Sequence, residues 1–150
     1  MNIFDELRAG LRCPGAEDTI RAGRRLADAL PPNQIVALSG DLGAGKTTFV
    51  KGIGMSLGMD PDEITSPTFT IYTIHQGRMQ LLHVDGYRLS GADSLHDLML
   101  EEFLRDPWMI AMEWPERGLL EWMEPDCWRL DFRRNAQCAA TISLAERSIP

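Results

Sequence analysis

Eight residues from Gly40 to Thr47 have the types and the spacing needed to hold a chain of phosphates. They match the pattern G-x-x-x-x-G-K-[ST] at every fixed position. Glycines let the backbone fold closely around phosphates with its N–H groups turned inward, and a following helix adds the positive end of its dipole. Lys46 is expected to reach the terminal phosphates, and the Thr47 hydroxyl is expected to ligate Mg²⁺. The alternative is a glycine turn without a ligand, but the flanking pattern favours a nucleoside triphosphate site.

The elements on both sides of this loop follow the order that the motif requires. Residues 34–39 form a short apolar run typical of a buried strand, and residues 46–57 indicate a helix that ends at Gly58. The nucleotide is therefore expected to contact the loop and the first turn of the helix, namely Asp41, Leu42, Gly43, Ala44, Gly45, Lys46, Thr47 and Thr48.

Two acidic residues stand at the ends of later predicted strands. Asp85 and Glu113 each follow a short apolar run. Because ligands of open α/β sheets bind beyond the carboxyl ends of parallel strands, both carboxylates are expected beside the glycine loop. Asp85 is a candidate Walker B acid that holds Mg²⁺ opposite Thr47, or else an aspartate that caps a turn. Glu113 is the candidate for orienting or deprotonating the attacking water. A role in the magnesium shell and a plain surface position are its alternatives.

Other polar residues near these motifs have less specific roles. Thr65, Ser66 and Thr68 are candidates for a switch loop whose hydroxyls reach the metal or the γ-phosphate, or else they only cap turns. His83 is expected on the opposite side of its strand from Asp85, as a hydrogen-bonded packing residue and not a metal ligand. Neither group identifies a reaction by itself.

The whole chain, residues 1–150, is expected to form a single domain of the α/β class. Strand and helix alternate in the middle of the chain while predicted antiparallel pairs flank them, which favours a three-layer P-loop NTPase fold with central parallel strands. The predicted helices cover residues 17–30, 91–106 and 115–123, and the predicted hairpins pair residues 70–75 with 79–84 and 127–133 with 138–144.

Composition limits the class of partner. The net charge is −7 and the only lysines are Lys46 and Lys51, which argues against an independent reader of nucleic acid. Three separated cysteines without a C-x-x-C pair predict free thiols, not a disulfide framework or a zinc site. The absence of a long apolar run predicts a protein without a membrane segment, and we expect it in the cytoplasm.

Four segments together resemble the bacterial TsaE family in residue types, order and spacing. They are Gly-Asp-Leu-Gly-Ala-Gly-Lys-Thr-Thr at 40–48, Ser-Pro-Thr-Phe at 66–69, His-Val-Asp-Gly-Tyr-Arg-Leu at 83–89 and Glu-Trp-Pro-Glu at 113–116. The resemblance implies a small magnesium-dependent ATPase that acts with the partners TsaB and TsaD. That system makes N6-threonylcarbamoyladenosine at position 37 of tRNA (t6A), and tRNA contact is implied only through the complex.

Carried over residue by residue, the resemblance implies roles for five side chains. Lys46 and Glu113 become the catalytic residues, and Thr47, Asp85 and Glu113 become the metal set. Trp114 is implied to lie beside the nucleotide, and the segment at 66–69 matches the switch-like loop of the family.

Two other functions share the glycine loop. A small-molecule kinase is the main enzyme alternative, although little of the chain is left for a lid that closes over a phosphoryl acceptor. An adaptor that senses ATP without hydrolysing it is the alternative from another class. Whether Glu113 acts on water decides between the adaptor and an ATPase.

Overall fold

The structure is a computed structural model that describes residues 1–67, 70–88, 100–115, 127–135 and 139–145. The described helices are α1 (Ile3–Ala9), α2 (Ala16–Ala29) and α3 (Lys46–Ser56). The described strands are β1 (Leu11–Cys13), β2 (Gln34–Gly40), β3 (Tyr72–Gln76), β4 (Gln80–Asp85), β5 (Trp108–Glu113), β6 (Cys127–Arg134) and β7 (Ala140–Leu144). None of the helices in these ranges has the length and apolar character needed to cross a membrane.

All seven of these strands form one mixed sheet in the order β1-β7-β6-β2-β5-β4-β3. Strand β2 lies between β5 and β6 and is parallel to both, and β4 continues the parallel set beside β5. Strand β3 joins one edge antiparallel to β4, while β7 and β1 extend the other edge antiparallel. The predicted α/β class, with central parallel strands flanked by antiparallel ones, is confirmed.

The two faces of the sheet bury different side chains because successive residues of a strand point in opposite directions. Val36 and Leu38 of β2 belong to the apolar cluster that includes all three helices. Ala37 belongs to a second cluster on the other face, together with Ile110 of β5. Most of each helix predicted for residues 91–106 and 115–123 lies outside the described residues.

Two glycines let α2 and α3 cross with their backbones in contact. A Cβ atom on Gly23 would lie 2.1 Å from the carbonyl oxygen of Phe49, and one on Gly52 would lie 2.0 Å from that of Ile20. No side chain fits at such distances unless the helices separate. Glycine at both positions therefore lets α3, the glycine-loop helix that follows residues 40–45, lie close to α2.

The helix predicted for residues 91–106 does not continue to residue 106 in the structure. Leu100–Phe103 form only a 3-10 turn, and residues 104–107 are not helical. The side chain of Gln80 accounts for this ending, because it donates to the Phe103 carbonyl at 3.0 Å and accepts from the Arg105 N–H at 2.8 Å. These backbone groups are thereby paired with a side chain and do not continue a helix. Helix α1 and strand β1 were not predicted from the sequence.

Candidate functional site

The glycine loop joins the carboxyl end of β2 to the first turn of α3, as the motif requires. Gly45 precedes the helix with φ of 104°, a left-handed conformation that favours glycine. Its carbonyl accepts the Phe49 N–H at 2.9 Å, which begins the helical hydrogen bonding. The tip of the loop is exposed at Asp41, Leu42 and Gly43, whereas Ala44 is buried. The loop thus presents its backbone to solvent at the end of a central strand.

Lys46 lies under the aromatic ring of Trp114. Its ammonium donates to the Gly40 carbonyl and lies 3.6 Å from the centroid of the indole ring. Trp114 follows β5 with φ of 58°, an uncommon conformation for a bulky residue, and its N–H donates to the Leu38 carbonyl at 3.1 Å. Lys46 is only 4% exposed. Its positive charge is therefore held at the glycine loop by a carbonyl dipole and a π system.

Thr47 and Glu113 are hydrogen-bonded to each other. The Thr47 hydroxyl lies 2.9 Å and 3.0 Å from the two carboxylate oxygens of Glu113, and donates to that carboxylate. Glu113 ends β5, where its register neighbour on β2 is Leu38. It is 3% exposed, so the surface alternative for this residue is wrong. The parallel pairing brings the end of β5 to the first turn of α3.

Asp85 ends β4 and is paired in register with Glu113. One of its carboxylate oxygens accepts the Ser66 hydroxyl at 3.0 Å, and the other accepts the N–H of Tyr87 at 2.9 Å. The second bond is the turn-capping geometry expected of an aspartate in this position. The first connects the predicted switch loop to the carboxylate, so Asp85 both shapes the turn and faces the cleft.

These groups line one cleft of about 260 Å³. Its lining includes Leu42, Gly43, Gly45, Lys46, Thr47, Thr48, Ser66, Asp85, Glu113 and Trp114. Asp41, Ala44 and Thr65 are not part of that lining, and Thr68 lies outside the described residues. Arg134, which also lines the cleft, was missed by sequence reasoning. Its position at the carboxyl end of a strand was the available signal, but this strand was predicted only as part of a hairpin.

The expected placement of His83 is wrong. His83 and Asp85 are two residues apart on one strand, so they share a face, and that face carries the glycine-loop helix. The His83 Nε2 atom lies 2.5 Å from a carboxylate oxygen of Glu113. His83 is fully buried and hydrogen-bonded, as expected of a packing residue, but its partner is a candidate catalytic acid.

The oxygen atoms in the cleft suit Mg²⁺ as ligands. This ion prefers oxygen and is usually held by one or two protein groups together with substrate phosphates. A hydroxyl and two carboxylates meet there, from Thr47, Asp85 and Glu113. In the part of the chain that the structure describes, no three His, Cys, Asp or Glu side chains cluster to hold a metal by themselves. The arrangement fits a cation that is shared with a bound phosphate chain.

Comparisons with known proteins identify the family of this chain. The family model described as "Threonylcarbamoyl adenosine biosynthesis protein TsaE" matches residues 13–142. A tRNA threonylcarbamoyladenosine biosynthesis protein TsaE from Streptomyces coelicolor is 46% identical over 116 residues, which cover 75% of this chain and 76% of the relative. The TsaE of Treponema pallidum is 40% identical over 109 residues, covering 71% and 80%.

A solved structure has the same fold. The crystal structure of YdiB from Bacillus subtilis superposes with a TM-score of 0.74 at 27% sequence identity, covering 92% of this chain and 84% of that one. The match extends the similarity from the motifs to the arrangement of the sheet and its helices. This chain therefore belongs to the TsaE family of proteins involved in t6A modification of tRNA.

Proposed function

We propose that the cleft binds ATP with Mg²⁺ and hydrolyses it, and that hydrolysis drives a TsaB–TsaD partner complex through its cycle of t6A synthesis. The observation that carries the proposal is the hydrogen bond between Thr47 and Glu113. It joins the metal-binding position of a phosphate loop to an acid from a neighbouring strand. An acid in that position can act on the attacking water, which hydrolysis requires and nucleotide binding alone does not.

When the nucleotide binds, Lys46 and Thr47 give up their present hydrogen bonds within the protein and turn to the ligand. Lys46 is bonded to the Gly40 carbonyl beneath Trp114, and its ammonium turns from that carbonyl towards the β- and γ-phosphates. Thr47 and Asp85 would be the protein groups that hold Mg²⁺, and the Thr47 hydroxyl would leave Glu113 to do so. Bound there, Mg²⁺ would neutralise the charge that develops on the phosphates. Glu113, which already lines the cleft, then no longer bonds to Thr47.

Glu113 acts on the attacking water in the proposed reaction. The water oxygen forms a bond to the γ-phosphorus as the bond from that phosphorus to the β,γ-bridging oxygen breaks, leaving ADP and inorganic phosphate. Glu113 orients the water and takes its proton. A carboxylate that is nearly excluded from solvent at the end of a rigid strand is suited to this role, because its position does not depend on a loop.

The charge of the chain supports an indirect contact with tRNA. A net charge of −7 opposes binding to a phosphate backbone, so recognition of tRNA is assigned to the partner complex. Partners supply missing catalytic groups to many P-loop proteins, as arginine fingers do. We therefore expect slow hydrolysis by the isolated protein and faster hydrolysis when TsaB and TsaD are added.

The first test separates binding from hydrolysis. Glu113→Ala should keep ATP affinity and lower the hydrolysis rate by about 10²–10⁴-fold, as expected for loss of a general base. Lys46→Ala should weaken ATP binding itself, because it removes the ammonium that faces the phosphates. Calorimetry and phosphate release measure the two quantities, and Glu102→Ala, which removes an exposed acid, is the control. Equal turnover by Glu113→Ala and wild type would refute the assignment.

The second test addresses the partners. The wild-type protein or Glu113→Ala is added with ATP to purified TsaB, TsaD and tRNA, and modified adenosine is measured over repeated cycles. Wild type should sustain product formation, and Glu113→Ala should not. A high rate of ATP hydrolysis that does not change when the partners are added would argue against an accessory role.

A further inference from the structure

The carboxylate of Glu113 is held by a second element besides the glycine-loop helix. While Thr47 donates to it from α3, His83 contacts one of its oxygens from β4 with Nε2 at 2.5 Å. His83 has no exposed surface, and Glu113 is 3% exposed. In this dry setting the imidazole–carboxylate hydrogen bond is stronger than it would be in water.

Strand geometry brings the two side chains together. His83 is paired in register with Ala111, so Glu113 stands two residues further along β5 on the same face. The next residue on that face of β4 is Asp85, which is paired directly with Glu113. His83 therefore approaches Glu113 from inside the sheet, on the side away from the open end where the cleft lies.

The hydrogen bonds of His83 differ from those of an ordinary packing histidine. A carboxylate oxygen can only accept a hydrogen bond, so the Nε2–H group of His83 is the donor to Glu113. Within the described ranges the buried Nδ1 atom has no hydrogen-bond partner. A buried nitrogen without a partner lowers stability. If this position only had to be filled, an apolar residue would fill it without that loss. In the described part of the chain, the hydrogen bond of the ring is to Glu113.

We propose that His83 is a positioning residue that holds one carboxylate oxygen of Glu113, so that the other faces the attacking water once Thr47 has turned away. The inference rests on the proposed function, in which Glu113 acts on water. His83 touches neither nucleotide nor water in this role. Its contact with Glu113 remains when the Thr47 hydroxyl leaves, and that contact keeps the carboxylate from rotating.

The test compares two substitutions of His83. His83→Leu removes the donor, while His83→Gln keeps an amide N–H at a reach similar to that of Nε2. A misplaced catalytic group costs about 100-fold in rate, so His83→Leu should lower kcat by about that factor with the KM for ATP unchanged. His83→Gln should recover most of the loss. If His83→Leu does not fold, His83→Asn, whose amide is one carbon shorter, takes its place and should show the same deficit.

Gln80→Met is the matched control. Gln80 is a buried polar residue of the same strand, 5% exposed, whose side chain bonds only to backbone groups of residues 103 and 105 in the contacts described. Its substitution should lower the unfolding temperature and leave kcat unchanged. A loss of kcat in His83→Leu that exceeds that of Gln80→Met at equal stability reports positioning and not general loosening of the strand.

The final readout is a double-mutant cycle with Glu113→Ala. If His83 acts through Glu113, His83→Leu causes no further loss of kcat when Glu113 is already alanine. An additional loss in that background would overturn the inference, as would wild-type kcat in His83→Leu or equal kcat in the Leu and Gln variants. Wild-type turnover in Glu113→Ala alone would instead refute the proposed function, and the inference with it.

Discussion

Substitution of Gly52 by alanine tests how closely the glycine-loop helix must lie to α2. The added Cβ would be 2.0 Å from the carbonyl oxygen of Ile20 and 2.9 Å from the backbone nitrogen of Arg24. Close carbon–oxygen contacts in proteins are about 3.3 Å or longer, so the helices would have to separate by roughly 1.3 Å. The obstructing atoms belong to the backbone and cannot be moved by rotation of a side chain.

The expected free-energy change follows from two opposing contributions. Overpacking at a rigid contact costs about 3 kcal/mol, the upper part of the usual range, while replacing a glycine inside a helix by alanine contributes about 1 kcal/mol in favour. The net effect is a loss of about 2 kcal/mol in the free energy of unfolding. For a chain of this size such a loss lowers the unfolding temperature by roughly 4–8 °C.

Urea denaturation followed by circular dichroism measures the change, and Gly54→Ala is the control. A Cβ on Gly54 would lie 2.0 Å from the terminal carbon of the buried Ile64 side chain, an atom that can shift more easily than a backbone carbonyl. Gly54→Ala should therefore stay close to wild type, because the helix propensity it gains offsets the repacking of Ile64. Gly52→Ala should also weaken ATP binding, since α3 carries Lys46 at its first turn. A Gly52→Ala variant as stable as wild type would refute the reasoning.

Two further substitutions address single hydrogen bonds. Ser66→Ala removes the hydroxyl that donates to Asp85 at 3.0 Å, and should raise the Mg²⁺ concentration for half-maximal ATP hydrolysis about 10-fold, because it loosens the carboxylate that we propose as a metal ligand. An unchanged magnesium titration would contradict this. In the second case, the hydrogen bond from Arg25 lowers the pKa of Glu6 below its ordinary 4.5, so the bond stabilises the fold above that pH and is lost as pH falls through the lowered pKa. Glu6→Gln should therefore be less stable than wild type at pH 7, and the difference should shrink on acidification in urea titrations at each pH.

Much of the candidate site could be predicted because its signals are local. The apolar run of β2, the glycine loop and the start of α3 are consecutive in the chain, and the structure has them where the pattern placed them. Asp85 and Glu113 could be placed at strand ends for the same reason. The end of the helix predicted for residues 91–106 was wrong because Gln80, more than 20 residues away, donates one hydrogen bond to that backbone and accepts another from it.

The position of His83 shows a different limit. Alternation along β4 alone places it on the face of Asp85, and that much was available from the sequence. Its contact with Glu113 was not, because that contact depends on which strand lies beside β4 and in which register. The same is true of Arg134, which reaches the cleft only because β6 is parallel to β2.

The sequence by itself determined that a glycine loop follows a buried strand and that two later strands end in carboxylates, since these features depend on neighbouring residues and on strand and helix periodicity. Only the tertiary structure decided that β5 lies between β2 and β4. That order puts Glu113 within hydrogen-bond distance of both Thr47 and His83. The physical reason is that strand order and register come from backbone pairing between segments distant in the chain, and no local pattern of side chains encodes them.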